Sequence, residues 1–183
     1  MKKISLILFF IILCSVSVSA QQLRVRVFSQ QKIKQTSFVP SFGRYSVEID
    51  GNLTRLSRTS NVKLSALNGK VEVRINDSVF ANSEKVTFKS EGIKSFFRLK
   101  PITPEIAERR YDDALEVSVN GNGNLLLINV VEQENYIAGV VQSETWGATK
   151  NIDFFKVQAI CCRNYLFRNM NKHSKDGYHL CDD

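Results

Sequence analysis

The chain has 183 residues, 43% of them hydrophobic and 23% charged, a globular balance that excludes collagen-like, low-complexity and disordered architectures. Its 25 Lys and Arg against 18 Asp and Glu give a formal charge of +7, and such a length holds one domain or two small ones. The basic residues are scattered, with no series of stacking aromatics among them, so composition points away from nucleic acid as a partner.

Residues 1–20 have the make-up of an export signal. Lys2 and Lys3 form a positive start, Ile4 to Leu13 is apolar except for Ser5, and Val18-Ser19-Ala20 fits a small-x-small cleavage site. The apolar run is shorter than the roughly 18 residues that span a bilayer, so it predicts cleavage near Ala20 rather than a permanent transmembrane anchor. Attachment of lipid through Cys14 is disfavoured, because bulky Leu13 stands where acylation sites carry a small residue. The expected product has 163 residues and a charge of +5, and it is exported to the periplasm or the cell envelope. A mildly basic exported protein suits an anionic polymer such as the cell wall. Export also permits disulfides, yet Cys161, Cys162 and Cys181 are an odd number, so at least one stays outside any intrachain bridge.

From Leu23 to Val131 the hydrophobic period is mostly two. Leu23–Val27, Tyr45–Ile49, Val71–Ile75 and Leu115–Val119 alternate apolar with polar, which predicts half-buried strands. Asp50-Gly51-Asn52 and Asn120-Gly121-Asn122-Gly123-Asn124 supply residues for tight hairpin turns, and the second leads into a buried strand over Leu125 to Val131. Pro101 and Pro104 mark the least regular stretch and suggest a division into a β-rich region, 21–103, and a following region, 104–183, with the last strands and the helices.

After Val131 the period becomes helical. Glu132 to Val141 fits a short helix, followed by a loop Gln142-Ser143-Glu144-Thr145-Trp146-Gly147. Asp153 then suits the cap of a second helix reaching about Asn171. Its apolar stripe, with Phe154, Phe155, Val157, Ala159, Cys161, Cys162, Tyr165, Leu166 and Met170, is so wide that a largely buried helix is expected. Lys156 and Arg163 stand seven residues apart, which puts two cations on one face two turns apart, where a polar ligand can be held. The fold class read from these patterns is α+β: an antiparallel β-rich front, then strands and a buried helix.

Several ordered blocks in the last fifty residues are more specific than any single short motif. The string from Asn135 to Glu144 (N-Y-I-A-G-V-V-Q-S-E), then Lys156-Val157-Gln158-Ala159, Arg163-Asn164-Tyr165 and Gly177-Tyr178-His179-Leu180-Cys181-Asp182 resembles the stage II sporulation protein D (SpoIID/LytB) family. That family shows N-Y-L-x-G-V-V-x-S-E, K-A-Q-A, R-T-Y and a D-L-C-D-x-x-H-C loop. The resemblance implies a lytic transglycosylase that cleaves between N-acetylmuramic acid and N-acetylglucosamine in peptidoglycan strands lacking stem peptides and leaves 1,6-anhydro ends. Glu144 matches the family's catalytic glutamate, and Lys156 and Arg163 match basic residues expected to contact substrate or orient that acid. A single carboxyl group suffices: it protonates the glycosidic oxygen and then accepts the proton of the muramic 6-hydroxyl as that oxygen attacks the anomeric carbon. Neither water nor a second carboxylate takes part, in contrast to glycoside hydrolysis.

Trp146 has two readings, a ring that packs from the loop onto the core or one that stacks on a sugar. Cys181 matches the first cysteine of the family's C-D-x-x-H-C loop, which implies a zinc ligand in members that bind metal, with His179 as a second candidate; the reaction itself requires no cofactor. Cys161 and Cys162 stand at positions that are commonly alanine in the family and read as small buried side chains.

The chain also departs from the family pattern. The family usually has Met-Pro after the glutamate and Trp-Pro before the helix, whereas this chain reads Glu144-Thr145-Trp146-Gly147, with one extra residue before the lysine block. Asp183 falls inside the cysteine loop, so the resemblance implies a catalytic region incomplete at its C-terminus and a helix awaiting cover. A second reading follows from the family's LytB-named members: a noncatalytic module that holds wall glycan or stimulates a cell-wall amidase. An enzyme requires Glu144 in a cleft.

Overall fold

The computed structural model describes residues 21–146 and 150–182. The expected export signal with Cys14, and also Gly147 and Asp183, lie outside the described residues. Among the described residues eleven strands form one sheet: β1 (Gln22–Val27), β2 (Gln35–Ile49), β3 (Asn52–Leu56), β4 (Val62–Leu67), β5 (Lys70–Ile75), β6 (Ser78–Ser83), β7 (Lys85–Thr103), β8 (Arg109–Asp112), β9 (Ala114–Val119), β10 (Leu125–Glu132) and β11 (Leu180–Cys181). Two α-helices among the described residues, α1 (Gln133–Glu144) and α2 (Ile152–Asn169), complete the α+β architecture. Neither helix is long and apolar enough to cross a membrane.

The sheet runs in the order β11-β1-β10-β9-β7-β2-β4-β5-β6, with β3 added beside β2 and β8 beside β7. All pairings are antiparallel except β1 with β11. The alternating segments become β1, part of β2, β5 and β9, each turning one row of apolar side chains inward, and the buried strand becomes β10, with Leu127, Ile128 and Asn129 all buried. At the β2–β3 hairpin, Ile49 pairs with Asn52 and the two residues between them, Asp50 and Gly51, have φ of 49° and 80°, the left-handed values a two-residue turn demands.

The spine of the sheet is the pairing of β2 with β7, 15 and 19 residues long. β7 continues through Pro101, which faces Thr36 beside a register shift between Gln35 and Thr36, and ends at Thr103, just before Pro104 and an irregular stretch that reaches β8. A proline, which has no N–H to donate, is tolerated where a bulge interrupts the ladder. Against this spine the main core assembles. The ring of Phe38 stacks on Phe88 and Phe97 at centroid distances of 4.0 and 4.9 Å, and Tyr45, Leu99, Leu115, Val117 and Leu127 close around them.

A second, smaller core of Leu23, Val25, Val131, Ile137, Leu166 and Leu180 fastens the helices to the β1–β10 end of the sheet. It corrects the expectation of a largely buried second helix. Leu166 is the buried residue of α2, while Ile152, Phe154, Val157, Ile160, Tyr165 and Phe167 are exposed. The physical reason is that the sheet end and α1 meet α2 along one narrow line, so the rest of its apolar stripe has nothing to pack against among the described residues. The helix ends differ from expectation as well. α1 extends to Glu144, whose last turn is closed by the Thr145 N–H and Oγ1 donating to Val141 O at 3.0 and 2.6 Å. The N-cap of α2 is Asn151, two residues ahead of Asp153: its side chain accepts from the Asp153 N–H at 2.9 Å, the bond by which an N-cap satisfies a free amide of the first turn.

Candidate active site

Glu144 owes its position to how α1 is launched. The helix begins directly where β10 stops, and the corner residue Asp113, in the turn between β8 and β9 with φ of 65°, fixes its start. The Asp113 carboxylate accepts from the Glu132 N–H at 2.8 Å and from Asn135 Nδ2 at 3.1 Å, while its own carbonyl accepts from the Tyr45 hydroxyl at 2.8 Å. Asn129 Nδ2 ties the neighbouring carbonyls of Asp112 and Ala114 at 2.7 and 2.8 Å. Burial and the negative charges of Asp113 and Asp112 push the Tyr45 phenol upward, so it stays protonated and keeps donating. Asn135, the first residue of the motif, is thus a docking group for the helix that carries the acid.

Among the described residues two side-chain pairs join α2 to α1. Arg163 Nη2 meets Glu134 Oε2 at 2.5 Å, and Gln158 Nε2 donates to Glu144 Oε2. The Arg163 hydrogen bond holds the Glu134 carboxyl below the usual range.

Between α1, α2, β8 and the segment 172–182 lies a cleft of about 1320 Å³. Glu144 lines it with Tyr136, Gly139, Trp146 and Gln158. Gly139 faces it without a side chain, and a Cβ built there meets nothing within 4 Å, so this glycine leaves the helix surface open beside the acid. Burial, reinforced by Tyr165, Cys162 and Glu144, pushes the Tyr136 phenol up to about 12; burial and Glu144 likewise raise the Cys162 thiol. Both groups are therefore neutral near neutral pH, which leaves Glu144 as the acid among polar but uncharged neighbours on the helical wall.

The structure does not bring all the expected site residues together. Glu144 and Trp146 share the cleft, and Trp146 is 81% exposed and not packed onto the core of the described residues. Lys156 and Arg163 do not line the cleft. Lys156 is paired with Asp153 at 2.9 Å and Arg163 with Glu134, so each cation is engaged by a carboxylate of its own helix pair. Cys161 and Cys162 are thiols that line the cleft, the first exposed and the second half-buried. Tyr136, Gly139 and Gln158, which the sequence presents only as positions within the motif blocks, also line the cleft; the i, i+3 and i, i+4 relations of Tyr136, Gly139 and Ser143 were the available signal.

Cys181 and His179 diverge. His179 Nδ1 accepts from the Arg24 N–H at 3.0 Å, which turns its ring toward the backbone of β1, and burial together with Arg24 lowers its pKa. The histidine beside Cys181 is instead His173, with Nε2 3.8 Å from Sγ. Asp182 is spent on the fold: its carboxylate accepts from the Phe28 and Ser29 N–H groups at 2.7 and 3.1 Å and from Arg109 at 3.0 Å. Among the described residues no three His, Cys, Asp or Glu side chains are gathered as a metal group, and Cys181 with His173 supplies two donors where a structural zinc takes four. These residues alone do not fit a zinc ion.

The comparisons with known proteins bear on the same part of the chain. Residues 121–183 match the family model described as Stage II sporulation protein, SpoIID. No curated protein and no solved structure matches the chain. The matched span opens in the β9–β10 turn and takes in β10, both helices and β11, that is, the elements that build three sides of the Glu144 cleft. Over its C-terminal third, residues 121–183, this chain is similar to the SpoIID family.

Proposed function

We propose that the protein acts on the cell wall as a peptidoglycan lytic transglycosylase in which Glu144 is the acid and then the base. The observation that carries this reading is the position of Glu144 on the wall of a large cleft, next to an exposed indole and a glycine that leaves room for a ligand, inside the family segment. In the step envisaged, the Glu144 carboxyl gives its proton to the glycosidic oxygen as the bond from that oxygen to the muramic anomeric carbon breaks. The muramic 6-hydroxyl oxygen bonds to that carbon, and its proton passes to the carboxylate, so the acid is regenerated without water. Gln158 donates to the carboxylate and holds its rotamer. Trp146 offers a face for a pyranose ring, and the sugar chain itself excludes water from the exposed side of Glu144.

A second reading, a module that holds glycan without cleaving it or assists an amidase, is favoured by one observation: Lys156 and Arg163 are tied up in ion pairs and leave Gln158 as the side chain seen to address Glu144. The deciding experiment is mass spectrometry of glycan ends after incubation of peptide-free peptidoglycan with the wild-type chain and with Glu144→Gln. Anhydro-ended fragments from the wild type and none from the variant support the enzyme. Wall binding by both, with no new ends, overturns it in favour of the binding module.

A further inference from the structure

We propose that Phe42, Phe96 and Arg110 form a carbohydrate platform that extends the Glu144 cleft across the outward face of β8, β7 and β2, and that the ligand on it is the continuation of the glycan strand held in the cleft. This rests on the glycan reading given above, and it concerns residues outside the family segment. β2 pairs along one edge of β7 and β8 along the other, so the three side chains stand in a row across three strands. The Phe42 and Phe96 rings are stacked, with centroids 5.5 Å apart and planes within 10°, and the Arg110 guanidinium lies over Phe96 at 3.8 Å from its centroid. Because Arg110 also lines the cleft, the row starts at the cleft wall and runs about 10 Å, two strand spacings, away from it.

The backbone is bent to present this row. Register shifts fall on both sides of Phe42, between Pro40 and Phe42 and between Phe42 and Arg44, and a bulge of this kind re-aims a side chain. Gly43, with φ of 81°, completes the bend; a Cβ there would stand 2.2 Å from Ser95 Oγ, so only glycine allows β2 to close on β7 at this point. The Ser95 hydroxyl beneath it is buried without a hydrogen-bond partner among the described residues, a further cost of the bend. What these costs achieve is a phenyl ring left 50% exposed.

The chemistry of the row selects the ligand. Two rings flanked by guanidinium groups are too small an apolar patch for a stable protein interface. They suit a pyranose, which has a face of C–H groups to lie on a ring and a rim of hydroxyls to accept from Arg110 and Arg98. Both guanidinium groups are held in place, Arg110 by Asp112 at 3.3 Å and Arg98 by Ser41 and Glu108 at 2.9 and 3.0 Å.

The test uses the full chain with Glu144→Gln, which prevents turnover, and soluble peptide-free glycan strands fractionated by length, with affinity measured calorimetrically. Affinity is expected to rise with strand length. Adding Phe42→Ala is expected to remove that gain, a loss of about three- to tenfold for long strands, whereas Phe42→Trp keeps it; a melting temperature within a few degrees of the parent shows that the half-exposed ring is not needed for folding. A length-dependent gain that survives Phe42→Ala overturns the platform and leaves the reading of the cleft in place. No binding of strands of any length overturns the glycan reading of the cleft and the platform with it.

Discussion

Gln158 on α2 and Glu144 at the end of α1, fourteen positions apart in sequence, are joined side chain to side chain, so the orientation of the acid depends on where the second helix sits. Gln158→Leu keeps the volume and removes the donor. We expect kcat for glycan cleavage to fall about tenfold, the equivalent of one hydrogen bond to a charged group, with KM unchanged. A merely structural role would lower the melting temperature as well, and that is the measurement to set beside the kinetics.

Gly139 gives two opposite expectations at one position. In a helix interior alanine is favoured over glycine by about 1 kcal/mol, and a Cβ at Gly139 meets nothing within 4 Å, so Gly139→Ala should raise the melting temperature slightly. Gly139→Trp keeps the helix and fills the cleft beside Glu144. It should abolish glycan binding while leaving circular dichroism and cooperative unfolding intact.

Leu166 is fully buried and is the apolar anchor of α2 in the smaller core. Leu166→Ala should cost about 2–5 kcal/mol locally. Because the main core around Phe38 is separate, the expected result is loss of amide protection in α2 and α1 with the β2–β7 pairing still protected, read by hydrogen exchange. Loss of protection across the whole sheet would show that the two cores unfold as one.

His179 sets a pH dependence. Burial and the charge of Arg24 lower its folded-state pKa below the ordinary histidine value of 6.5, and its Nδ1 lone pair is occupied by the Arg24 N–H. Between the lowered value and 6.5 the unfolded chain binds the extra proton and the folded chain does not. Stability therefore rises with pH through that window and reaches its full value above 6.5. Denaturant midpoints measured from pH 5 to 8 should show this slope, and His179→Asn should flatten it. An unchanged slope in the variant would assign the dependence to another group.

Much of the sheet was legible because alternation survives wherever a strand is unbroken: Leu23–Val27, Val71–Ile75 and Leu115–Val119 each show it over five residues. The full lengths of β2 and β7 were not legible. Bulges beside Phe42 reset the alternation, and no local rule joins Phe38 to Tyr45 across them. The stripe of α2 misled for a related reason, since an apolar pattern states what a helix can bury and not how much surface stands opposite it. At the candidate site, the ordered blocks around Glu144 single it out in the sequence, and the cleft it lines is read only from the fold. The approach of His173 to Cys181 was not, because an eight-residue separation matches no ligand spacing and the two meet only when the segment 174–179 folds back on β1.

That fold-back also decides how the molecule behaves toward its own copies. β1 is the strand before the end of the sheet, and β11 pairs with it over only two residues, Val25 and Arg26. The rest of the rim is closed by side chains acting in place of a strand: the His179 imidazole takes the Arg24 N–H and the Asp182 carboxylate takes the Phe28 N–H, while the His179 and Asp182 amides cap the carbonyls of Arg24 and Arg26. These few residues are a selvedge. Unpicking them would expose a flat, apolar-backed row of donors and acceptors to any neighbouring chain, and the first symptom would be self-association at the β1 margin, seen as turbidity or growing particle size.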